Sequence, residues 1–100
     1  MLGIETIENG TELTFLLSDR LDTGTAPQLD QRIGSIPESV TDVVFDLEDL
    51  VYVSSAGLRV ILRTSKLMDS RGGALTCKNA STLVKETFEM TGLVDVITIE

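Results

Sequence analysis

The sequence predicts a single α/β domain, spanning residues 1–100, with a mixed β-sheet and elements in the order ββαβαβαβ. Short apolar runs with strand-like patterning alternate with segments in which apolar residues recur at helical spacing. The dipeptide Asn9-Gly10 indicates a hairpin between the first two strands. One hundred residues are enough for one hydrophobic core, and no linker, repeat or low-complexity segment divides the chain.

Five strands are expected, over residues 4–8, 12–18, 42–47, 74–78 and 96–99. The second places Leu13, Phe15 and Leu17 on one face, which is the period-2 pattern of a half-buried strand. The third, with the sequence DVVFDL, is a short continuous apolar run typical of a buried strand. Turn residues separate each of these runs from the next element.

Three helices are expected between these strands. The first begins near Thr23 or Thr25, either of which can cap it, and Pro37 stops it. The second covers residues 55–70 and ends at the glycines of RGG, while the third is capped by Asn79 or Ser81. Their expected inner faces are Ala26, Leu29, Ile33 and Ile36; Leu58, Ile61, Leu62, Ser65 and Met68; and Leu83, Val84, Thr87 and Phe88.

The composition excludes several classes of function. The formal net charge of −8 argues against broad contact with nucleic acid and against anionic membrane surfaces. No apolar run approaches the ~18 residues of a membrane span, and no signal peptide is apparent. The chain has no histidine and only one cysteine, Cys77, which removes histidine-based catalytic sets and the commonest metal ligands, so no metal site or cofactor is expected and a reducing cytoplasm fits. Catalysis through carboxylates or lysine stays open, but no catalytic residues stand together in the sequence, and no enzymatic activity is expected.

The serine pair in VSSAGL, residues 53–58, lies where the third strand gives way to the second helix. Ser54 or Ser55 can simply cap that helix, with Gly57 fitting a tight junction. Alternatively, one serine receives a phosphate, which the helix N-terminus tolerates. An enzymatic nucleophile is disfavoured, because Val53 stands where a nucleophile elbow needs glycine and no histidine is present.

Three basic residues follow this serine pair on the second helix. Arg59, Arg63 and Lys66 fall at i, i+4 and i+7, so they share one exposed side of the helix. An ordinary solvated face is the favoured interpretation of this stripe, and the alternative is a contact strip for an acidic patch on a partner.

The segment DVVFDLEDLVYVSSAGLRVIL resembles the signature of STAS domains, in particular the bacterial anti-sigma factor antagonists. The resemblance extends to LSDRLDTGTAPQLDQRI before it and LVKETFEMTGLVDVITI after it, and it covers nearly the whole chain. It implies a single STAS-like fold with the helices packed mainly on one face of the sheet. In that family a serine or threonine two positions before the loop glycine is phosphorylated, which corresponds to Ser55 here. Ser54 is the alternative acceptor, because it stands where the best-known members carry an acidic residue.

The resemblance implies a partner-switching function. The unphosphorylated protein sequesters an anti-sigma factor that doubles as an ATP-dependent serine kinase, phosphorylation expels it, and a serine phosphatase resets the cycle. The implied contact surface includes Asp22, Ser54, Ala56, Gly57, Arg59 and Arg63. The alternative is a constitutive STAS scaffold or small-ligand-binding module within a larger sensory or transport assembly.

Overall fold

A computed structural model describes all residues of the chain, 1–100. The strands are β1 (Leu2–Asn9), β2 (Glu12–Leu21), β3 (Asp42–Val53), β4 (Leu75–Lys78) and β5 (Thr98–Ile99). The helices are α1 (Ala26–Gly34), α2 (Ser55–Ser70) and α3 (Thr82–Met90), and a 3₁₀ turn, Leu93–Asp95, precedes β5. The sheet order is β1-β2-β3-β4-β5, with β1 and β2 antiparallel and the other neighbours parallel. The predicted order ββαβαβαβ is confirmed.

One face of the sheet is covered by the helices and carries the core. Buried residues alternate along the central strands, as in Val43, Phe45 and Leu47 of β3, while the residues between them are only half-buried. Phe15 of β2 packs edge-on against Phe45, with ring centroids 5.6 Å apart. This alternation confirms that the helices pack mainly on one face.

Cys77 of β4 belongs to the same buried layer and is inaccessible to solvent. Burial raises the pKa of its thiol to about 12, because the apolar surroundings disfavour the charged thiolate. The residue therefore packs as a small apolar side chain.

Strand β3 is twice as long as predicted, because it continues from Asp42 to Val53 instead of ending near residue 47. The pairing of β2 with β3 shifts register between Leu16 and Ser18 and again between Asp19 and Arg20. Such bulges interrupt the period-2 burial pattern, so the exposed acids Glu48 and Asp49 hide the continuation of the strand.

Helix α2 spans the predicted residues, but its buried face is rotated. Leu58, Ile61, Ser65 and Met68 are buried as predicted, whereas Leu62 is only half-buried and Val60 takes its place. The buried hydroxyl of Thr64 donates to the carbonyl of Val60 at 2.8 Å, so this face is not purely apolar. The prediction for Leu62 is wrong: the buried face is turned slightly, so that it takes in Val60 and Thr64 and leaves Leu62 half-buried.

The smaller elements also differ from their predicted limits. Helix α1 ends at Gly34 and not at Pro37, although Ile36 beyond it is buried as expected. In α3 the side chain of Leu83 is 58% exposed, so the prediction that it lies on the inner face is wrong. Val84 and Phe88 alone anchor that helix, because only they are buried on its nine-residue length. None of the helices is long and apolar enough to cross a membrane.

Candidate functional site

The parallel strands β2 and β3 end at the same edge of the sheet, which brings two distant loops together. Leu21 and Val53 are register partners, and the backbone N–H of Ser54 donates to the Leu21 carbonyl at 2.9 Å. Gly57 packs directly on this junction. A Cβ at Gly57 would lie 2.7 Å from Leu21 Cγ and 2.9 Å from its carbonyl oxygen, so only glycine fits. Gly57 is therefore buried beneath the site, and its close contact with Leu21 fixes the start of α2 against the end of β2.

The two serines of this edge differ in their surroundings. Ser54 is the N-cap of α2, half-buried, and its Oγ accepts from the backbone N–H of Gly57 at 3.4 Å. Ser55 is the first residue of the helix, is exposed, and its hydroxyl makes no hydrogen bond within the chain. The open choice of cap is thereby resolved in favour of Ser54. The free hydroxyl belongs to Ser55.

Asp22 begins the neighbouring loop, directly after the residue that binds Ser54. Its Oδ1 accepts from the backbone N–H groups of Gly24 and Thr25, both at 3.0 Å. Desolvation raises the pKa of the Asp22 carboxyl, but hydrogen bonds from Thr25 and Gly24, together with the charge of Arg20, outweigh it and lower the pKa below its ordinary value. Asp22 is therefore a fixed negative charge at this edge at neutral pH.

Thr25 occupies the N-cap position of α1, but its side chain makes no capping hydrogen bond. Its Oγ accepts from the backbone N–H of Asp22 at 2.9 Å and donates to the carbonyl of Arg20, also at 2.9 Å. Thr23, the other predicted cap, is exposed and lies outside the helix. Thr25 therefore stabilises the loop before α1, because its hydroxyl bonds to both Arg20 and Asp22.

A shallow groove between α1 and α2 opens beside the serine pair. Its lining consists of Thr23, Ala26, Pro27, Asp30, Ala56, Arg59, Val60 and Arg63. Arg63 Nη1 donates to both carboxylate oxygens of Asp30, at 2.7 and 2.6 Å. Arg59 is equally exposed but makes no hydrogen bond and no ion pair. Ala56, Arg59 and Arg63, named separately in the sequence, therefore meet at one groove.

Two further residues of this edge, Arg20 and Tyr52, were not predicted from the sequence. The guanidinium of Arg20 lies over the ring of Tyr52, 4.4 Å from the centroid, and both side chains are exposed. Arg20 and Tyr52 are register partners in the pairing of β2 with β3. The sequence does not reveal this pairing, because it predicts that β3 ends near residue 47, before Tyr52.

No metal-binding set is assembled around these loops. The chain has no group of three or more carboxylate, thiol or imidazole side chains close enough to hold a metal ion. The structure is thus a small α/β domain that exposes a serine hydroxyl and guanidinium groups at the edge where its parallel strands β2 and β3 end.

Comparison with known proteins assigns the family. Residues 3–100 match the STAS domain model, and the chain belongs to this family. The anti-sigma-B factor antagonist of Bacillus subtilis (strain 168) is 29% identical over 98 residues, covering 98% of this chain and 90% of that protein.

Solved structures share the fold at low sequence identity. An anti-sigma factor antagonist from Mycobacterium paratuberculosis superimposes with a TM-score of 0.88 at 21% identity, over 99% of this chain and 85% of that one. The Bacillus cell fate determinant SpoIIAA in its phosphorylated form gives a TM-score of 0.76 at 19% identity, over 100% and 91%.

Proposed function

We propose that this chain is an anti-sigma factor antagonist whose binding to its partner is controlled by phosphorylation of Ser55. The observation that carries the proposal is the exposed, unbonded hydroxyl of Ser55 at the junction that Ser54, Gly57 and Leu21 hold in place. The similarity to the antagonist of Bacillus subtilis over 98% of the chain supports the class of partner. The partner is an anti-sigma factor with serine kinase activity, a serine phosphatase reverses the modification, and the cycle runs in the cytoplasm.

The different surroundings of the two serines favour Ser55 over Ser54 as the acceptor of the phosphate. Ser54 is half-buried and its Oγ accepts from the N–H of Gly57, so its hydroxyl is less accessible to a kinase than the exposed hydroxyl of Ser55. Phosphorylation of Ser55 leaves the cap intact and adds roughly −1.5 to −2 of charge at the surface. The switch then acts on the binding surface, while the fold is retained.

The charge at the edge explains why a phosphate would release the partner. Asp22 already supplies a fixed carboxylate beside the serine pair, and an interface formed there must accommodate it. A second, larger negative charge without an added counter-charge on the partner costs several kcal/mol on binding, and each ~1.4 kcal/mol is tenfold in affinity. The cost to the folded chain is small, because an anion at a helix N-terminus is stabilised by about 0.3–1 kcal/mol.

The test combines phosphorylation with titration of variants. The serine-kinase anti-sigma factor from the same genome is incubated with ATP and the chain, and mass spectrometry locates the phosphate. Ser55→Ala is expected to abolish phosphorylation and retain binding, whereas Ser55→Asp is expected to weaken binding at least tenfold. Ser39→Ala, an exposed serine between α1 and β3, is the matched control and should behave as the unaltered chain.

Two outcomes contradict the proposal in different ways. Phosphate on Ser54 alone would move the switch by one residue. Absence of phosphate on both serines, together with unchanged binding by Ser55→Asp, would refute the switch and favour the constitutive scaffold.

A further inference from the structure

Arg59 is the free guanidinium of the serine edge. Of the three arginines that border it, Arg63 is held by both oxygens of Asp30, and Arg20 lies over Tyr52 with its Nε 3.7 Å from Asp22. Arg59 has no hydrogen bond and no ion pair, and its side chain is exposed. Its guanidinium is therefore free to pair with a negative charge that the unphosphorylated chain does not carry.

The spacing of Ser55 and Arg59 fits an intrahelical pair. Both lie in α2, four residues apart, and such positions face the same side of a helix with Cβ atoms about 5–6 Å apart. An anion on the N-terminal partner and a cation on the C-terminal one is the favourable order. A phosphate offers three acceptor oxygens that the planar guanidinium fork binds in bidentate fashion. Arg63, two turns away from Ser55, stays with Asp30.

We infer that a phosphate on Ser55 is bound by Arg59 of the same helix, and that this pair withdraws the Arg59 side chain from the partner. The inference rests on the proposed function and deepens it. In the resting chain Arg59 projects freely beside the serine pair and offers its charge to an acidic group of the anti-sigma factor. Phosphorylation then acts twice, since it adds a negative charge to the surface and removes a positive contact from it.

The pairing itself is tested without a kinase, by genetically encoding phosphoserine at position 55. The second pKa of that phosphate, ordinarily about 6, is followed by ³¹P NMR titration. The other charged groups around it are Arg20, Asp22, Asp30 and Arg63, and they are left unaltered. With Arg59 present the midpoint is expected to lie lower by about 0.2–0.4 in pH than in Arg59→Gln. Lys66→Gln, which removes the same charge from the exposed side of α2 two turns further on, should leave the midpoint unchanged.

The withdrawal is tested by titrating the same proteins against the anti-sigma factor. The fold-loss of affinity caused by the phosphate is expected to be about two- to fivefold smaller in Arg59→Gln than in the chain with Arg59, because the contact has already been lost. An equal loss, or a larger one, would refute the withdrawal. If the two phosphoserine proteins, with Arg59 and with Arg59→Gln, gave the same ³¹P titration midpoint, the pairing would be refuted.

These failures are distinct from failure of the proposed function. Encoded phosphoserine reports on Arg59 whether or not a kinase recognises Ser55. A chain that the kinase leaves unmodified, yet whose encoded phosphate shows the lower midpoint, would refute the natural switch and retain the pair.

Discussion

The N-termini of α2 and α3 are built alike, yet only the first is part of a candidate site. Each helix follows a parallel strand and is capped by a serine. Ser54 accepts from the N–H of Gly57 at 3.4 Å, and Ser81 accepts from the N–H of Val84 at 3.3 Å. The capping residue alone therefore does not distinguish them.

The difference lies in what surrounds each cap. The start of α2 is pressed onto the end of β2 through Gly57 and Leu21, and the loop of Asp22 lies against it. At the start of α3, Ser81 and Leu83 are exposed, and the nearby side-chain bond runs from Asn79 to Asp46 of β3, so no second loop is held beside the cap. A serine at a helix start becomes a candidate switch when a second loop is held beside it and the next hydroxyl is left free.

The largest effect that this comparison predicts is at the close contact of α2. Gly57→Ala is expected to destabilise the fold by about 1–3 kcal/mol, because the added Cβ meets the backbone and side chain of Leu21. Gly34→Ala in α1 is the matched control, since nothing lies within 4 Å of its added Cβ, and it should be neutral or slightly stabilising. Denaturant melts measure both free energies of unfolding. Equal values for the two variants would show that the contact between α2 and β2 is loose.

The next effect tests whether the two caps are equivalent. Ser54→Ala and Ser81→Ala should each lower the free energy of unfolding by about 1 kcal/mol, the usual effect of losing a serine N-cap. The same melts provide the values. A much larger loss for Ser54→Ala would mean that this serine supports the edge of the sheet beyond capping α2, and the resemblance of the two helix starts would fail.

The smallest effect concerns the ion pair that only α2 possesses. Arg63→Gln is expected to cost about 0.2–1 kcal/mol, and the loss should shrink in high salt, because both partners are partly exposed. Lys85→Gln in α3, whose exposed side chain has no ion pair, is the control and should change stability little. A salt-independent loss at Arg63 would point to packing of its aliphatic stem in the groove.

The sequence predicts elements well where local chemistry marks both ends. Helix α2 has a serine cap before it and Gly72 after it, at a φ of 80°, and its limits match the prediction. The extent of β3 was underestimated although Ser54 follows its last residue, because the register shifts in its pairing with β2 break the alternation beyond residue 47 and are a property of two strands. The rotation of α2 was missed because Leu62 is apolar and Thr64 is polar, while burial follows the position of the sheet.

The site was predictable in its parts and not in its assembly. The serine pair and the arginines stand in one continuous motif, so spacing alone places them together. Asp22 is more than thirty residues earlier and joins them only through the register of two parallel strands. The engagement of Arg63 with Asp30, which leaves Arg59 free, depends on the packing of α1 against α2 and has no signature in sequence.

The sealed thiol of Cys77 has a practical consequence for studying this chain in solution. Thiol reagents attack the thiolate, and a pKa of about 12 combined with complete burial leaves almost none accessible in the native state. A cysteine introduced at an exposed position can therefore carry a fluorophore alone, with no need to replace the natural one. The slow labelling of Cys77 itself then serves as a clock for opening of the core, because the sulfur reacts only when the helices covering β4 move away from the sheet.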